Sequence, residues 1–384
     1  MRFPEFEGEW QEKRLSDIAD LSKGIGISKD QLSADGEPCI LYGELYTKYK
    51  SETIKEVISK TNIDNTKLVK SKANDVIIPC SGETAEEIAT ARCVLKDDIL
   101  LGGDLNIIRL HGYDGSFMSY QLNGKRKYDI AKVAQGVSVV HLYGEHLKNI
   151  KTINPSLNEQ KKIANLLSLL DERISTQNKI IDKLQSLIKG ISNRLLYADN
   201  SMSIRIEEML IERSERTKKN NQYEVLSSTV NGIFSQRDYF SKDIASDNNV
   251  GYKIIHLHDI VLSPQNLWMG NINFNDKFDI GIVSPSYKVF SIADGFDKKY
   301  VAALLKTHHA LYNYMLVSEQ GASIVRRNLN YEAFEQLVFK IPSLNKQREI
   351  GHAISLLKSR LENANLLIKT YNSQKQFMIR QMFI

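Results

Sequence analysis

From Ile163 onward, apolar side chains recur at alternating steps of four and three: Leu167, Leu170, Ile174, then Ile181, Leu184, Ile188, Ile191 and Leu195, with Gln177 as a polar interruption. A heptad sustained over more than four repeats predicts a long helix that lays one narrow stripe against a partner helix. About 40 residues at 1.5 Å each make a rod of roughly 60 Å, longer than a globular core needs.

The partner is expected in the same chain. A shift of 187 residues places Pro155-Ser156-Leu157-Asn158 on Pro342-Ser343-Leu344-Asn345, Gln160 on Gln347, and Ser168-Leu169-Leu170 on Ser355-Leu356-Leu357. The second seam reads Ile350, Ile354, Leu357, Leu361, Ala364, Ile368, Tyr371, Lys375, Met378 and Met382. It is softer than the first, and Lys375 at a seam position implies last turns that are frayed or covered by a partner. Two capped, heptad-bearing helices, each behind a segment of about 150 residues, imply a duplicated, pseudo-twofold unit of globular domain plus helix. The division is residues 1–155, first globular domain; 156–197, first helix; 198–342, second globular domain; and 343–384, second helix.

Charge bears on what such a chain binds. The net charge is +5, but residues 156–197 hold 7 Lys and Arg against 4 Asp and Glu, and residues 343–384 hold 7 against 2. The helices thus carry +8 and the globular segments −3, so contact with nucleic acid must come through local clusters. No stretch approaches 18 consecutive apolar residues and Met1–Trp10 is not signal-like, which implies a cytoplasmic protein with no membrane association. Cys39, Cys80 and Cys93 show no ligand or disulfide spacing and read as buried or incidental thiols.

Taken in order, the first segment predicts a helix over Leu15–Leu21 closed by Lys23-Gly24. Strands follow at Cys39–Tyr42, Asp75–Pro79 and Ile107–Leu110, then a helix over Phe117–Ala134. A glycine turn at Gln135-Gly136-Val137-Ser138-Val139 and a small helix over Gly144–Ile150 complete it. The second segment repeats the frame: Ile204–Leu210 for the opening helix, Asp259–Leu262 and Tyr287–Phe290 as strands, Lys299–Leu316 as the helix, and Gln320-Gly321-Ala322-Ser323-Ile324 as the turn. The middles do not align, so the frame repeats while the contents diverge.

Several residues in this frame suit nucleic acid. Glycine in the two turns serves as a chain reversal, but it also admits close backbone approach. Gln135 with Gly136 and Ser138, and Gln320 with Gly321 and Ser323, have side chains able to bond base edges or phosphates. Arg326-Arg327-Asn328 follow the second turn directly. Arg pairs bidentately with guanine and Asn with adenine. Lys125-Arg126-Lys127 are either a solvated helix face or phosphate contacts. Lys23 beside Gly24, and Lys48 and Lys50 interleaved with Tyr46 and Tyr49, are loop candidates; Trp268 with Gln265 and Asn266 probes a groove or fills core.

The ordered duplication, opened by Pro-Ser-Leu-Asn-Glu-Gln at 155–160 and Pro-Ser-Leu-Asn-Lys-Gln at 342–347 with a Gln-Gly-x-Ser turn upstream of each, resembles the specificity subunit of a Type I restriction-modification system. The resemblance spans the whole chain, with Lys346 where the first opener has Glu159. It implies an α+β chain of two similar α/β target-recognition domains separated by a pair of long antiparallel coiled-coil helices. Each domain then reads one half of a bipartite site in double-stranded DNA. The helices, through Ile163, Leu167, Leu170, Ile174, Ile181, Leu184 and Ile188 against Ile350, Ile354, Leu357, Leu361 and Ile368, set the gap. It further implies docking of two modification subunits that bind S-adenosylmethionine and methylate adenine, and of restriction subunits using ATP and Mg, with no cofactor on this chain.

The chain shows no phosphate-binding loop, no Asn/Asp-Pro-Pro-Tyr/Phe methyltransferase motif and no nucleophile with a base, so no catalytic residue is expected. His256 and His258, expected on one side of a strand, and the adjacent His308 and His309 offer no metal site. The rival reading is a coiled-coil DNA-binding regulator or adaptor that acts as a homodimer without a methyltransferase.

Overall fold

A computed structural model describes residues 2–136, 139–195, 201–239, 248–323 and 326–383. The chain falls into two compact units, Met1–Lys179 with Leu366–Ile384, and Ile180–Asn365. These do not coincide with the four successive segments: each unit takes half of each long helix, because the seam residues bury against the other helix and against the domain beside it.

The first rod, Leu157–Leu195, and the second, Leu344–Met382, are each 39 residues long, about 58 Å of helix. What they bury follows the heptad. Ile163, Leu167, Leu170 and Ile181 are buried, with Ile174, Leu184 and Ile188 half-buried; Ile350, Ile354 and Ala364 are buried, with Leu357, Leu361 and Ile368 half-buried. In unit 1, Ile163, Ala164 and Leu167 near the start of the first rod share a cluster with Ile379, Met382 and Phe383 at the end of the second. In unit 2, Ile191 near the end of the first rod packs on the core that holds Ile350 and Ile354, near the start of the second. The helices therefore run antiparallel within each unit.

The domains repeat a frame with their own contents. Strand Gln11–Arg14 pairs antiparallel with Lys151–Asn154, and Met202–Arg205 with Val338–Ile341. A single helical turn follows each, Leu15–Ile18 and Ile206–Met209, and a strand follows that, Ala19–Lys23 and Leu210–Glu212. These open the antiparallel triplets Ala19–Lys23, Leu105–Leu110, Asp75–Pro79 and Leu210–Glu212, Lys288–Ile292, Ile260–Leu262. Beyond that the units differ. Unit 1 extends its sheet through Arg92–Val94 to Thr53–Ile54, the last pair parallel, and adds a second five-stranded sheet; unit 2 ends at Ile272–Phe274 and adds short hairpins.

The glutamine of each rod opener ties rod to domain. Gln160 Nε2 donates to the Pro155 carbonyl (2.8 Å) while its Oε1 accepts from Asp114 N (2.9 Å). Gln347 does the same with Pro342 (2.9 Å) and Asp297 N (3.0 Å). Asp114 and Asp297 in turn cap the helices Gly115–Asn123 and Lys298–Leu304. Both glutamines are nearly fully buried, so truncation strands a carbonyl and an amide away from water. Gln160→Ala and Gln347→Ala are each expected to lower stability by about 1–3 kcal/mol, read as a drop in the urea midpoint, with no change expected for Lys346→Ala. Gly351 adds a second constraint: a Cβ there would lie 2.3 Å from Asp297 Oδ1, so only glycine lets the second rod approach this cap.

Several local expectations are corrected. Leu15–Leu21 is one helical turn followed by strand, because Ala19–Lys23 finds a partner in Leu105–Leu110. The helix over Phe117–Ala134 is two, Gly115–Asn123 and Lys127–Val133. It breaks at Gly124, where a Cβ would sit 2.6 Å from Ile379 of the second rod. Lys299–Leu316 likewise divides into Lys298–Leu304 and His308–Leu316, since Thr307 caps the latter through Ala310 N (3.2 Å). His256 ends a strand and pairs with Glu215 (2.8 Å), whereas His258 lies beyond it at φ +76°, so the two do not share a strand face.

The end of the second rod is helical to Met382, and its seam lysine is buried within its own unit. Lys375 Nζ is buried between Asp171 Oδ1 (2.6 Å) and Glu52, and Asp171 Oδ2 accepts from Tyr120 OH (2.7 Å) and Ser51 Oγ (2.8 Å). Cys39, Cys80 and Cys93 are buried free thiols, and burial pushes Cys93 up to about 12. Among the described residues no His/Cys/Asp/Glu cluster could hold a metal and no helix is long and apolar enough to cross a membrane.

Candidate nucleic-acid interface

The Gln-Gly segment of each unit lies against the loop that leaves the shared Asp-led strand. In unit 1 the turn is closed by a reciprocal pair, Gln135 N to His141 O (2.9 Å) and His141 N to Gln135 O (2.7 Å). Gly136 sits at φ +126°, where a Cβ would meet the Val139 carbonyl at 2.0 Å, so the turn requires glycine. Strand Val140–His141 pairs with Ser81–Gly82, just past Asp75–Pro79, and Leu142 N donates to Cys80 O (2.8 Å). Around this corner Gln135 is exposed, His141 stacks on half-exposed Tyr143 (centroids 6.2 Å, 24°), and Lys23 Nζ stands 5.7 Å from the Tyr143 ring. Ser138 lies outside the described residues.

In unit 2 the corresponding segment is not a turn at Gly321. Ser318–Ser323 is a strand that pairs antiparallel with Arg326–Leu329, irregular between Gln320 and Ser323, and Gln320 is opposite Arg327. The ladder overrides the glycine signal, since Gln320 and Gly321 lie within a paired strand; Ile324 lies outside the described residues. For Gly321, Ser323 and Arg326 the backbone of this hairpin is what is described. The hairpin is tied to the loop beyond Ile260–Leu262: Arg327 N donates to Gln265 O (3.1 Å). The Arg327 guanidinium lies 4.9 Å over the Trp268 ring, with Nη1 3.4 Å from Met315 O. Trp268 is therefore neither plain core nor a free probe; it is the platform under an arginine. Gln265 and Asn328 are exposed beside it.

Both corners thus combine a cation, an aromatic ring and an exposed amide on a fixed backbone. Cation and ring suit phosphate and base faces, and amides suit base edges. His141 and Tyr143 were missed in sequence, since their pairing with the Gln135 turn is a tertiary register.

Other candidates are brought elsewhere. Lys48 is committed to buried Glu44 (2.5 Å) and Ser59 Oγ (2.9 Å), and Tyr49 is core rather than an interleaved contact. Of the basic triplet, Lys125 is exposed, Arg126 is half-buried on Asp129 (3.2 Å), and burial lowers Lys127, with Arg92 adding to it. That stretch is the broken helix junction, not an open basic face.

Each unit is thus a mixed α/β domain packed on antiparallel halves of two long helices, a frame shared with known proteins. Residues 7–186 match the family model "Type I restriction modification DNA specificity domain". A curated relative, the Type I restriction enzyme MjaVIII specificity subunit of Methanocaldococcus jannaschii, is 29% identical over 196 residues, 51% of this chain and 43% of the relative. The chain's match therefore spans less than half of that relative's length. Among solved structures, the Type-I restriction-modification system S subunit from M. genitalium superposes with a TM-score of 0.66 at 15% identity over 100% of this chain and 99% of that one. A structure from work on complex assembly and conformational transition of the type I R-M system gives 0.51 at 11% identity, covering 98% of each chain. Residues 7–186 are thus similar to that family's domain, and over its whole length the chain shares its fold with the M. genitalium S subunit.

Proposed function

We propose that this chain is the DNA-recognition subunit of a Type I restriction-modification enzyme, each unit reading one half of a bipartite site in double-stranded DNA. The observation that carries the reading is the repeated corner. One frame, duplicated, presents Gln135, His141, Tyr143 and Lys23 in one unit and Gln265, Trp268, Arg327 and Asn328 in the other, as two readers of different sequences need. On this reading the rods are the spacer that sets the gap between the half-sites.

Two modification subunits that bind S-adenosylmethionine are the partners this duplication favours. Off the seam, Leu169 and Leu356 are equivalent by the 187-residue shift and each 49% exposed; Ile180 and Leu367 are equivalent and 44% and 45% exposed. Each unit thus presents one member of each pair, which suits two copies of one partner. Restriction subunits using ATP and Mg complete the assembly, the chain itself binds no cofactor, and it acts in the cytoplasm. A homodimeric adaptor is disfavoured because in both units seam residues of the two rods of the same chain share one core.

Exchange of residues 1–155 for a relative's segment, followed by mapping of methylated adenines in the host genome, tests this. One half-site changes and the other persists; change in both halves defeats the proposal. Arg327→Ala is expected to weaken cognate binding by about 1–3 kcal/mol and relax one position if the arginine reads a base. Titrations at several salt concentrations separate this from a phosphate contact, which would lower the salt slope by about 1 and weaken all sequences alike.

A further inference from the structure

The loop Gly24–Ser28 in unit 1 is held in a strained backbone conformation. Ile27 adopts φ +62°, beside Gly26 at +63°. For a β-branched residue this left-handed region is sterically unfavourable, and such strain persists where the surroundings over-determine it. Here they do. Gly24 N donates to Leu105 O (2.9 Å), Ile25 N to Leu101 O (3.2 Å) and Gly103 N to Gly26 O (2.5 Å), so the loop is clasped to the 101–105 segment backbone to backbone. A Cβ on Gly24 would lie 2.0 Å from Gly102 O, which makes glycine a condition of the clasp.

The consequence is where the side chains go. Ile27 turns inward onto Cys39 and Leu100, and Ile25 is left 51% exposed on a fixed backbone. Exposed lysines stand on either side, Lys23 and Lys29, and Lys23 is the cation over Tyr143 at the Gln135 corner. Asp104, exposed beside Gly103, and Asp30, exposed next to Lys29, are nearby opposing charges. A rigid apolar tip between two cations, continuous with the candidate DNA face, matches an element that meets the one apolar group in the major groove while its flanks meet phosphates.

We propose that Ile25 reads a thymine C5-methyl in the half-site of unit 1, held in place by the Gly24–Gly103 clasp. This rests on the DNA-recognition reading above. The chain is co-expressed with its modification subunit in a host lacking other adenine methyltransferases, and total genomic DNA is mapped for methylated adenine, for wild type, Ile25→Ser and Gly24→Val. The wild-type motif is expected to contain a thymine in the half governed by residues 1–155. Ile25→Ser should lose about tenfold or more of the discrimination at that position, with the other half intact and the melting temperature unchanged. Gly24→Val should lose the same position and melt lower. A motif of unaltered strictness in Ile25→Ser overturns the inference and leaves the recognition reading standing. A change in the other half, or loss of the modification subunit from the purified complex, also overturns it. A wild-type genome with no split motif overturns both.

Discussion

Lys375→Met is expected to destabilise the chain by about 3–5 kcal/mol, the range for removing one partner of a buried ion pair. The loss exceeds that of a surface pair because Glu52 and Asp171 remain buried, 8% exposed each, with no cation between them. Burial raises the Glu52 carboxyl, opposed by Lys375. A carboxyl raised in the folded state binds its proton more tightly there than when unfolded, so stability is gained as pH falls through the folded pKa. Without Lys375 that effect grows: the deficit of Lys375→Met is largest near neutral pH and narrows on acidification, and adding Glu52→Gln recovers part of it. Urea denaturation at several pH values measures this, and a deficit that widens toward low pH contradicts the buried-cluster account.

Changing the gap of the cognate site by one base pair is expected to reduce binding to the non-specific level, a loss on the order of 10³-fold or more. One base pair moves a half-site by about 3.4 Å and rotates it by about 35° around the duplex. Side-chain contacts fitted to both half-sites at once cannot follow both displacements, since hydrogen bonds weaken steeply beyond their normal length and angle. Competition binding by the assembled methyltransferase on a series of gap lengths checks it; comparable affinity at several lengths defeats the spacer reading.

The rods were legible because a heptad is a local, periodic signal: seam residues from Ile163 to Ile188 and Ile350 to Ile368 are those that the structure buries or half-buries. The opener Pro-Ser-Leu-Asn-x-Gln was legible as a repeat, but its purpose was not, because Gln160 and Gln347 act on Asp114 and Asp297, 46 and 50 residues away. Lys375 looked like a flaw in a seam until Glu52 and Asp171 were brought to it. Gln320-Gly321 looked like a turn because glycine permits one, yet both residues lie in a strand paired with Arg326–Leu329.

What the sequence by itself determined was the duplication, the two helices and their buried stripe, since side-chain periodicity and end caps act within a few residues of one another. Which polar groups meet was decided by the tertiary structure alone. Arg327 lies over Trp268, Lys23 stands beside Tyr143, and Ile25 is turned outward by a strained neighbour. The contacts of Arg327 and Lys23 join residues tens to hundreds of positions apart, and the strained loop is set by its clasp to residues 101–105; their geometry follows from sheet register and close backbone packing, which no local pattern encodes.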